Sequence, residues 1–311
     1  MASVVFITGS STGFGRAAAE TFARRGHRVF ATMRDTQGRN SGHKRALEEM
    51  ARAEKLPLEV LDLDVTDETS VNRAVDEAVD RAGRLDVVIN NAGIAGLGVT
   101  ESFTPQQFEQ IFNVNLLGVI RVNRAVLPGM RRQRSGLLMH VSSGAGRCTV
   151  PAMAVYCASK YALEAVADAY RYELRPFGID SILVEPGMYR TEIVDRRIAP
   201  ADHQRLAEYG AAGEYADRVL AVFQTAMSAP ETPGSQEVAD VFVRLAEMPS
   251  GLRPFRTPVS PAMEQLLGGY NAAADALRPV IAQVFNVPEL ADPPKIPDVA
   301  PSGQASRETR D

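Results

Sequence analysis

The sequence predicts an α/β fold, a doubly wound parallel sheet covered by helices on both faces. Three observations predict it. Short runs rich in β-branched residues alternate with amphipathic segments through the first two-thirds of the chain. Those runs are apolar at consecutive positions, as strands buried on both faces must be. The first run leads directly through Thr8-Gly9-Ser10-Ser11-Thr12-Gly13-Phe14-Gly15 into the first amphipathic segment. That strand–turn–helix order is how a parallel sheet begins its crossovers.

Taken in order, strands are expected at residues 4–8, 29–33, 58–62, 87–90, 137–142 and 179–185, with helices near 16–25, 44–54, 68–82, 105–127 and 155–175. Pro128-Gly129 is expected to end the fourth helix, and Pro176 with Gly178 the fifth. After Gly187 the rhythm changes. Residues 188–233 carry Ala-rich helical patterns with Tyr209, Tyr215, Phe223 and Met227, contain no convincing strand, and read as a helical lid. A further helix is expected around Val238, Val241, Phe242 and Leu245, spaced i, i+3, i+4, i+7. Residues 253–259 read as a last strand confined to the sheet edge, because Pro254 and Pro258 donate no ladder hydrogen bond. Beyond about residue 288 the composition turns Pro-, Asp- and Ser-rich, so residues 291–311 read as a disordered tail and 1–290 as one domain. The sequence has no internal repeat.

Composition narrows the function. The 311 residues carry 34 Lys+Arg against 38 Asp+Glu, a net charge of −4, which argues against a nucleic-acid footprint. The two cysteines, Cys148 and Cys157, make no disulfide framework and suit a reducing compartment. The apolar run 4–7 is too short for a secretory signal, and no stretch approaches the roughly 20 apolar residues of a membrane span. A cytoplasmic protein is expected. No His/Cys/Asp cluster has metal-ligand spacing, so no metal site is expected. His140 falls in an apolar strand and reads as a core residue, and Arg131-Arg132-Gln133-Arg134 as a solvated face.

Tyr156 and Lys160 stand at i and i+4 in Tyr156-Cys157-Ala158-Ser159-Lys160. On a helix they share one face, and a cation beside a phenol lowers its pKa toward the range that general acid–base catalysis needs. The glycines of the first turn permit close approach of a pyrophosphate to backbone N–H groups at a helix N-terminus. Asn90-Asn91-Ala92-Gly93 ends the fourth strand at the carboxyl edge, where ligands collect in open α/β sheets.

The spacing of Gly9, Gly13 and Gly15, followed by Asn90-Asn91-Ala92-Gly93, Asn115, Ser143, Tyr156 with Lys160, and Pro186-Gly187, resembles the short-chain dehydrogenase/reductase family in its single-domain form. The likeness covers residues 3–191 in order and spacing, and extends more loosely to about residue 260. The sequences of residues 31–35 and 156–164 look like the hydroxysteroid and retinol dehydrogenase branch. The resemblance implies a Rossmann-type sheet and hydride transfer between NAD(P) and a carbonyl/alcohol pair. It implies that Tyr156 gives the proton to the substrate oxygen, that Lys160 tunes it and bonds the nicotinamide ribose, and that Ser143 holds the substrate oxygen. Asn115 would anchor a proton-relay water, with Asn113 as its rival, while Ser142 is structural. The cofactor would lie against Gly9, Ser11, Thr12, Gly13, Phe14 and Gly15, then Asp64 and Val65, then Asn90 and Ala92, with Gly93 permitting the turn. Pro186, Gly187 and Thr191 would hold the carboxamide; Tyr189 stands where the family usually has a small aliphatic residue.

The end of the second strand selects the cofactor. Family members that use NAD place Asp there for the ribose hydroxyl, whereas this chain has Met33 and then Arg34. A guanidinium grips a 2′-phosphate bidentately, so NADP(H) is expected over NAD(H), with Asp35 as the acid that could still serve a ribose. The expected substrate is a small-molecule carbonyl or alcohol, apolar if the lid's aromatic and Met content lines its site. A homodimer or homotetramer is expected, because Phe108, Ile111, Phe112 and Val119 exceed what one core-facing stripe requires. Two other readings remain: a cofactor-binding regulator without turnover, which intact Ser143, Tyr156 and Lys160 oppose, and an NAD-dependent epimerase/dehydratase, which the glycine spacing opposes.

Overall fold

In the computed structural model, which describes residues 2–290, β1 (Val4–Ile7) lies inside a parallel sheet, paired on both sides. It is joined by β2 (Arg28–Met33), β3 (Leu58–Asp62), β4 (Val87–Asn90), β5 (Gly136–Val141), β6 (Ile179–Pro186) and β7 (Arg256–Val259), in the order β3-β2-β1-β4-β5-β6-β7. The chain winds outward from β1 in one direction and from β4 in the other. The crevice this leaves at the carboxyl ends of β1 and β4 is where such sheets take ligands.

The helices are α1 (Gly13–Arg24), α2 (Ser41–Glu54), α3 (Glu68–Ala82), α4 (Pro105–Phe112), α5 (Gly118–Gln133), α6 (Ala154–Leu174), α7 (His203–Glu208), α8 (Tyr215–Ser228), α9 (Gln236–Glu247) and α10 (Pro261–Val284). Strand residues alternate between two cores. Val5 and Ile7 of β1 pack with α1, α2 and α9, whereas Phe6 faces the opposite layer with α3 and α5. Val238, Val241, Phe242 and Leu245 are all buried, so the expected stripe is the core face of α9. Pro258 is tolerated in β7 because that strand is an edge, paired only with β6.

Two expectations are corrected. Pro128 does not end a helix: it lies inside α5, which runs on to Gln133 and stops at Arg134 in the left-handed region (φ 55°). Burial of Val122, Val126, Leu127 and Met130 holds the helix through the proline. The expected helix over 105–127 is also not uniform, since a π-helical turn, Asn113–Leu117, separates α4 from α5. Asp67 caps α3 by accepting from the Thr69 amide, while Asp64 accepts from the amide and hydroxyl of Thr66. Pro176 and Gly178 (φ 70°) do close α6, through a short 3₁₀ turn. Helix α10 is an element the sequence reading did not anticipate. The expected tail, 291–311, lies outside the described residues.

Candidate active site

The glycine turn is built by the residues around it. The side chain of Thr8 accepts from the amides of Asn91 (2.9 Å) and Ala92 (3.0 Å), and Asn91 Nδ2 donates to the carbonyls of Thr8 (2.9 Å) and Gly9 (3.0 Å). A β-carbon on Gly9, which has φ 71°, would lie 2.9 Å from Ala92 Cα, and one on Gly15 would lie 2.4 Å from Asn91 Nδ2. The loops after β1 and β4 therefore touch, backbone to backbone, which only glycine permits. Asn91 is the residue sequence reasoning passed over; it stood beside Asn90, and only strand alternation separates their roles. The Ser11 and Thr12 hydroxyls bond nothing among the described residues, and Thr12 leaves the α1 N-terminus without a side-chain cap. Uncapped N–H groups at a helix start suit an anion, so the turn fits a cofactor pyrophosphate. Thr191 lies across this turn, its Cγ2 at 3.6 Å from where a Gly13 β-carbon would be, and Tyr189 packs edge-on against Phe14 at 5.6 Å. That buried ring contact is the local consequence of the tyrosine.

Asn90 and Gly93 take other roles than expected. The Asn90 side chain points away from the crevice into the layer beneath, donating to Asn123 Oδ1 (2.8 Å) and meeting His140 Nδ1 (3.3 Å). His140 also meets Ser181 Oγ, and burial pushes it down to about 3, so it is a neutral core residue, as its apolar strand foretold. Gly93 has no positive φ; its value is close approach, since a β-carbon there would lie 3.4 Å from Asn115 Oδ1 and 3.8 Å from Lys160 Nζ.

Asn115 turns inward at the π-helical segment. Its Oδ1 accepts from the Ile94 amide (2.9 Å), and its Nδ2 donates to the Ile94 carbonyl and to Ser159 Oγ (both 2.9 Å). Asn113 makes no such contacts and leaves its Oδ1 unbonded among the described residues. Ser143 caps the turn after β5 and accepts from the Ala145 amide (3.1 Å), and its hydroxyl lies beside the Tyr156 phenol. The Ser142 hydroxyl is buried and takes no part.

Tyr156 and Lys160 lie on one face of α6, with the ammonium 5.7 Å from the phenol ring centre. Lys160 Nζ donates to the Val141 carbonyl at 2.7 Å. Burial dominates both groups. It pushes the phenol up to about 12, with the neighbouring Ser143 hydroxyl opposing, and pushes Lys160 down to about 8, with Glu164 opposing. Burial thus leaves the phenol raised here, not depressed, with the Lys160 ammonium turned to the Val141 carbonyl. Tyr156 sits in an apolar cluster with Leu97, Val99, Met153 and Ala216, against which Tyr209, Tyr215 and Phe223 of the 188–233 segment pack.

At the far end of the crevice Arg34 is exposed, with Nη1 4.0 Å from Asp64 Oδ2. Asp35 instead turns back on its own loop, accepting from the Arg39 amide at 2.8 Å. Val65 is wedged against Gly118, where a β-carbon would lie 2.9 Å from Val65 Cβ. Pro186 ends β6, and Gly187 lets Met263 of α10 approach, its Sδ 2.8 Å from a β-carbon at that position. The crevice thus gathers Gly9 to Gly15, Asn115, Ser143, Tyr156, Lys160 and Thr191, with Arg34 and Asp64 at its outer end. No group of three or more His, Cys, Asp or Glu residues able to hold a metal occurs among the described residues.

The short chain dehydrogenase family profile matches residues 3–201. Human 17-beta-hydroxysteroid dehydrogenase type 1 is 35% identical over 267 residues, covering 82% of this chain and 77% of that protein. A short-chain dehydrogenase from Streptomyces avermitilis superposes with a TM-score of 0.72 at 28% identity, over 92% of this chain and 98% of that one. A short-chain dehydrogenase/reductase from Burkholderia phymatum, in complex with NAD, gives 0.71 at 24% identity, over 91% and 95%, and shows the shared fold. The chain is therefore a member of the short-chain dehydrogenase/reductase family, an oxidoreductase acting on CH–OH and C=O groups with a nicotinamide cofactor.

Proposed function

We propose that the protein is an NADP(H)-dependent oxidoreductase of an apolar carbonyl or alcohol, with Ser143, Tyr156 and Lys160 as its catalytic residues. The observation that carries this reading is the buried Tyr156 phenol beside the Ser143 hydroxyl, on the same helix face as Lys160 and inside an apolar cluster closed by α8. When bound, the nicotinamide supplies or accepts the hydride. Tyr156, kept protonated by burial, gives its proton to the substrate oxygen, which Ser143 orients. Lys160 carries the charge that stabilises the phenolate once the proton has left. Asn115 braces the Ile94 backbone beside Lys160, and its place is that of the relay anchor.

The cofactor is held by the 9–15 turn, by Asp64 and Val65 beside the adenine, by Ala92 and the Asn90 backbone, and by Pro186, Gly187 and Thr191. Arg34 favours NADP(H): it is exposed and held by no close hydrogen bond, while Asp35 is spent within its loop. The 188–233 segment is the lid of a single domain, and its aromatic side chains around Tyr156 favour an apolar substrate. The protein acts in the cytoplasm; no helix among the described residues is long and apolar enough to cross a membrane.

The test is a steady-state assay of cofactor absorbance with NADPH and NADH against ketones, aldehydes and secondary alcohols of graded polarity. Apolar ketones should turn over with NADPH, and Tyr156→Phe should abolish that turnover while leaving NADPH affinity, read by fluorescence titration, within about twofold. Wild-type kcat retained in Tyr156→Phe would remove the proton-donor assignment.

A further inference from the structure

Behind the proposed site two buried carboxyl groups meet. Glu185 precedes Pro186-Gly187 at the end of β6, and Glu164 stands one turn after Lys160 on the same face of α6. Glu185 is 0% exposed and Glu164 3%. Charged and polar groups approach from every surrounding element: Arg147 from the turn after Ser143, Arg256 from β7, Lys160 and Asp168 from α6, and Asn271, Asp275 and Arg278 from α10.

The donors are unevenly spent. Arg256 donates to Glu164 Oε2 at 2.9 Å, to Asp275 at 3.2 Å and to Asp168 at 3.3 Å, and comes no nearer than 3.9 Å to Glu185. Arg147 donates to Asn271 Oδ1 at 3.0 Å, lies over the Tyr270 ring at 4.2 Å and stays 4.0 Å from Glu185. Arg278 serves Asp168 and Asp275. Glu185 is left with one hydrogen bond, from the neutral amide of Asn271 to Oε2 at 2.7 Å. Its Oε1 and the Oε1 of Glu164 are both buried without a hydrogen-bond partner among the described residues. A fully buried carboxylate with a single neutral donor is poorly compensated, whereas a carboxylic acid needs less and turns one orphan acceptor into a donor.

We propose that Glu185 is a neutral carboxylic acid in the native protein at mildly acidic pH, where ordinary carboxyls are ionised, and that in this form it is a positioning residue. It lets α10, through Asn271, and the Ser143 turn, through Arg147, close on the Glu185-Pro186-Gly187 segment and the Lys160 helix without a second buried negative charge beside Glu164. What this frame serves rests on the hydride-transfer reading; the protonation itself does not, and its test needs no turnover.

Burial, reinforced by the Glu164 carboxylate, pushes Glu185 up to about 7, from an ordinary value of about 4.3. Between those values the native state binds a proton that the unfolded chain has lost. Stability from this group therefore falls as pH rises through the window and is level above it. Glu185→Gln mimics the neutral acid and removes the linkage. Thermal unfolding of the full chain should then show the variant gaining about 2–5 °C on the wild type between about pH 4.5 and about pH 8. Parallel Tm curves would overturn the proposal. Should the variant fail to fold, infrared difference spectra of the wild type decide: a protonated carboxyl stretch present at about pH 6, where ordinary carboxyls are ionised, and titrating away toward alkaline pH supports it, and its absence overturns it. Neither result changes if the substrate panel shows no turnover, so the two readings fail separately.

Discussion

Arg34 decides between cofactors by what its neighbours are doing. Asp35, a nearby acid that could bind a ribose hydroxyl, is held in a left-handed turn (φ 53°) with its carboxylate on the Arg39 amide. Met33, at the family's usual acidic position, is packed in the core. Arg34 lies at the surface, drawn toward Asp64 at 4.0 Å. A charge-assisted hydrogen bond contributes about 1.5–3 kcal/mol, so Arg34→Ala should raise the NADPH dissociation constant about ten- to a hundredfold and leave NADH nearly unchanged. Arg34→Asp, which adds repulsion, should invert the preference. Comparison of kcat/KM for both cofactors checks this, and equal losses for the two would dissociate Arg34 from the phosphate. At this scale the sequence was readable where spacing alone fixes a relation, as for Tyr156 and Lys160 on one helix face. It was not readable where a partner intervenes: the Val141 carbonyl holds Lys160, and strand alternation sends Asn90 inward while Asn91 braces the turn.

The turn between β1 and α1 acts as an element because it leans on the loop after β4. Gly15→Ala would force a methyl group to within 2.4 Å of both Asn91 Nδ2 and the Gly9 carbonyl, so the loops must part. Gly42, in the first turn of α2, has nothing within 4 Å. There alanine restricts the unfolded chain at no native cost and should stabilise by about 0.4–1 kcal/mol, while Gly15→Ala should destabilise by at least about 1 kcal/mol and weaken cofactor binding. Urea unfolding of the two variants gives opposite signs if the packing is as described. Elements were legible where a periodic apolar stripe met a core, as in α9. Helix α10 escaped because Gly268, Gly269 and Pro279 read as breakers, while much of its apolar surface faces outward rather than toward a core. Pro128 misled for the converse reason, since packing of α5 outweighs one missing donor.

Across the whole molecule, the alternation of strands and helices made the sheet legible, because a buried parallel sheet tolerates few other patterns. Its outward surface was less so. Of the residues expected to form a second buried face, Ile111 and Val119 are spent within the core, and Phe108 packs edge-on against Phe103 at 6.4 Å. Large apolar side chains are exposed elsewhere: Leu117 at the start of α5, and Leu266, Tyr270, Leu277, Val280, Ile281, Val284 and Phe285 along and just beyond α10. A contiguous exposed apolar stripe is unfavourable in water, and a second copy of the chain related by a two-fold axis would cover it on both partners at once. The expected state is a homodimer or homotetramer at micromolar concentration, measured by light scattering on the full chain. Leu277→Asp with Val284→Asp should lower the measured mass if α10 is the contact, and Leu117→Asp should do so if α5 is. A wild-type protein that scatters as a monomer would refute the assembly, and an oligomer indifferent to all three substitutions would move its contact away from both helices.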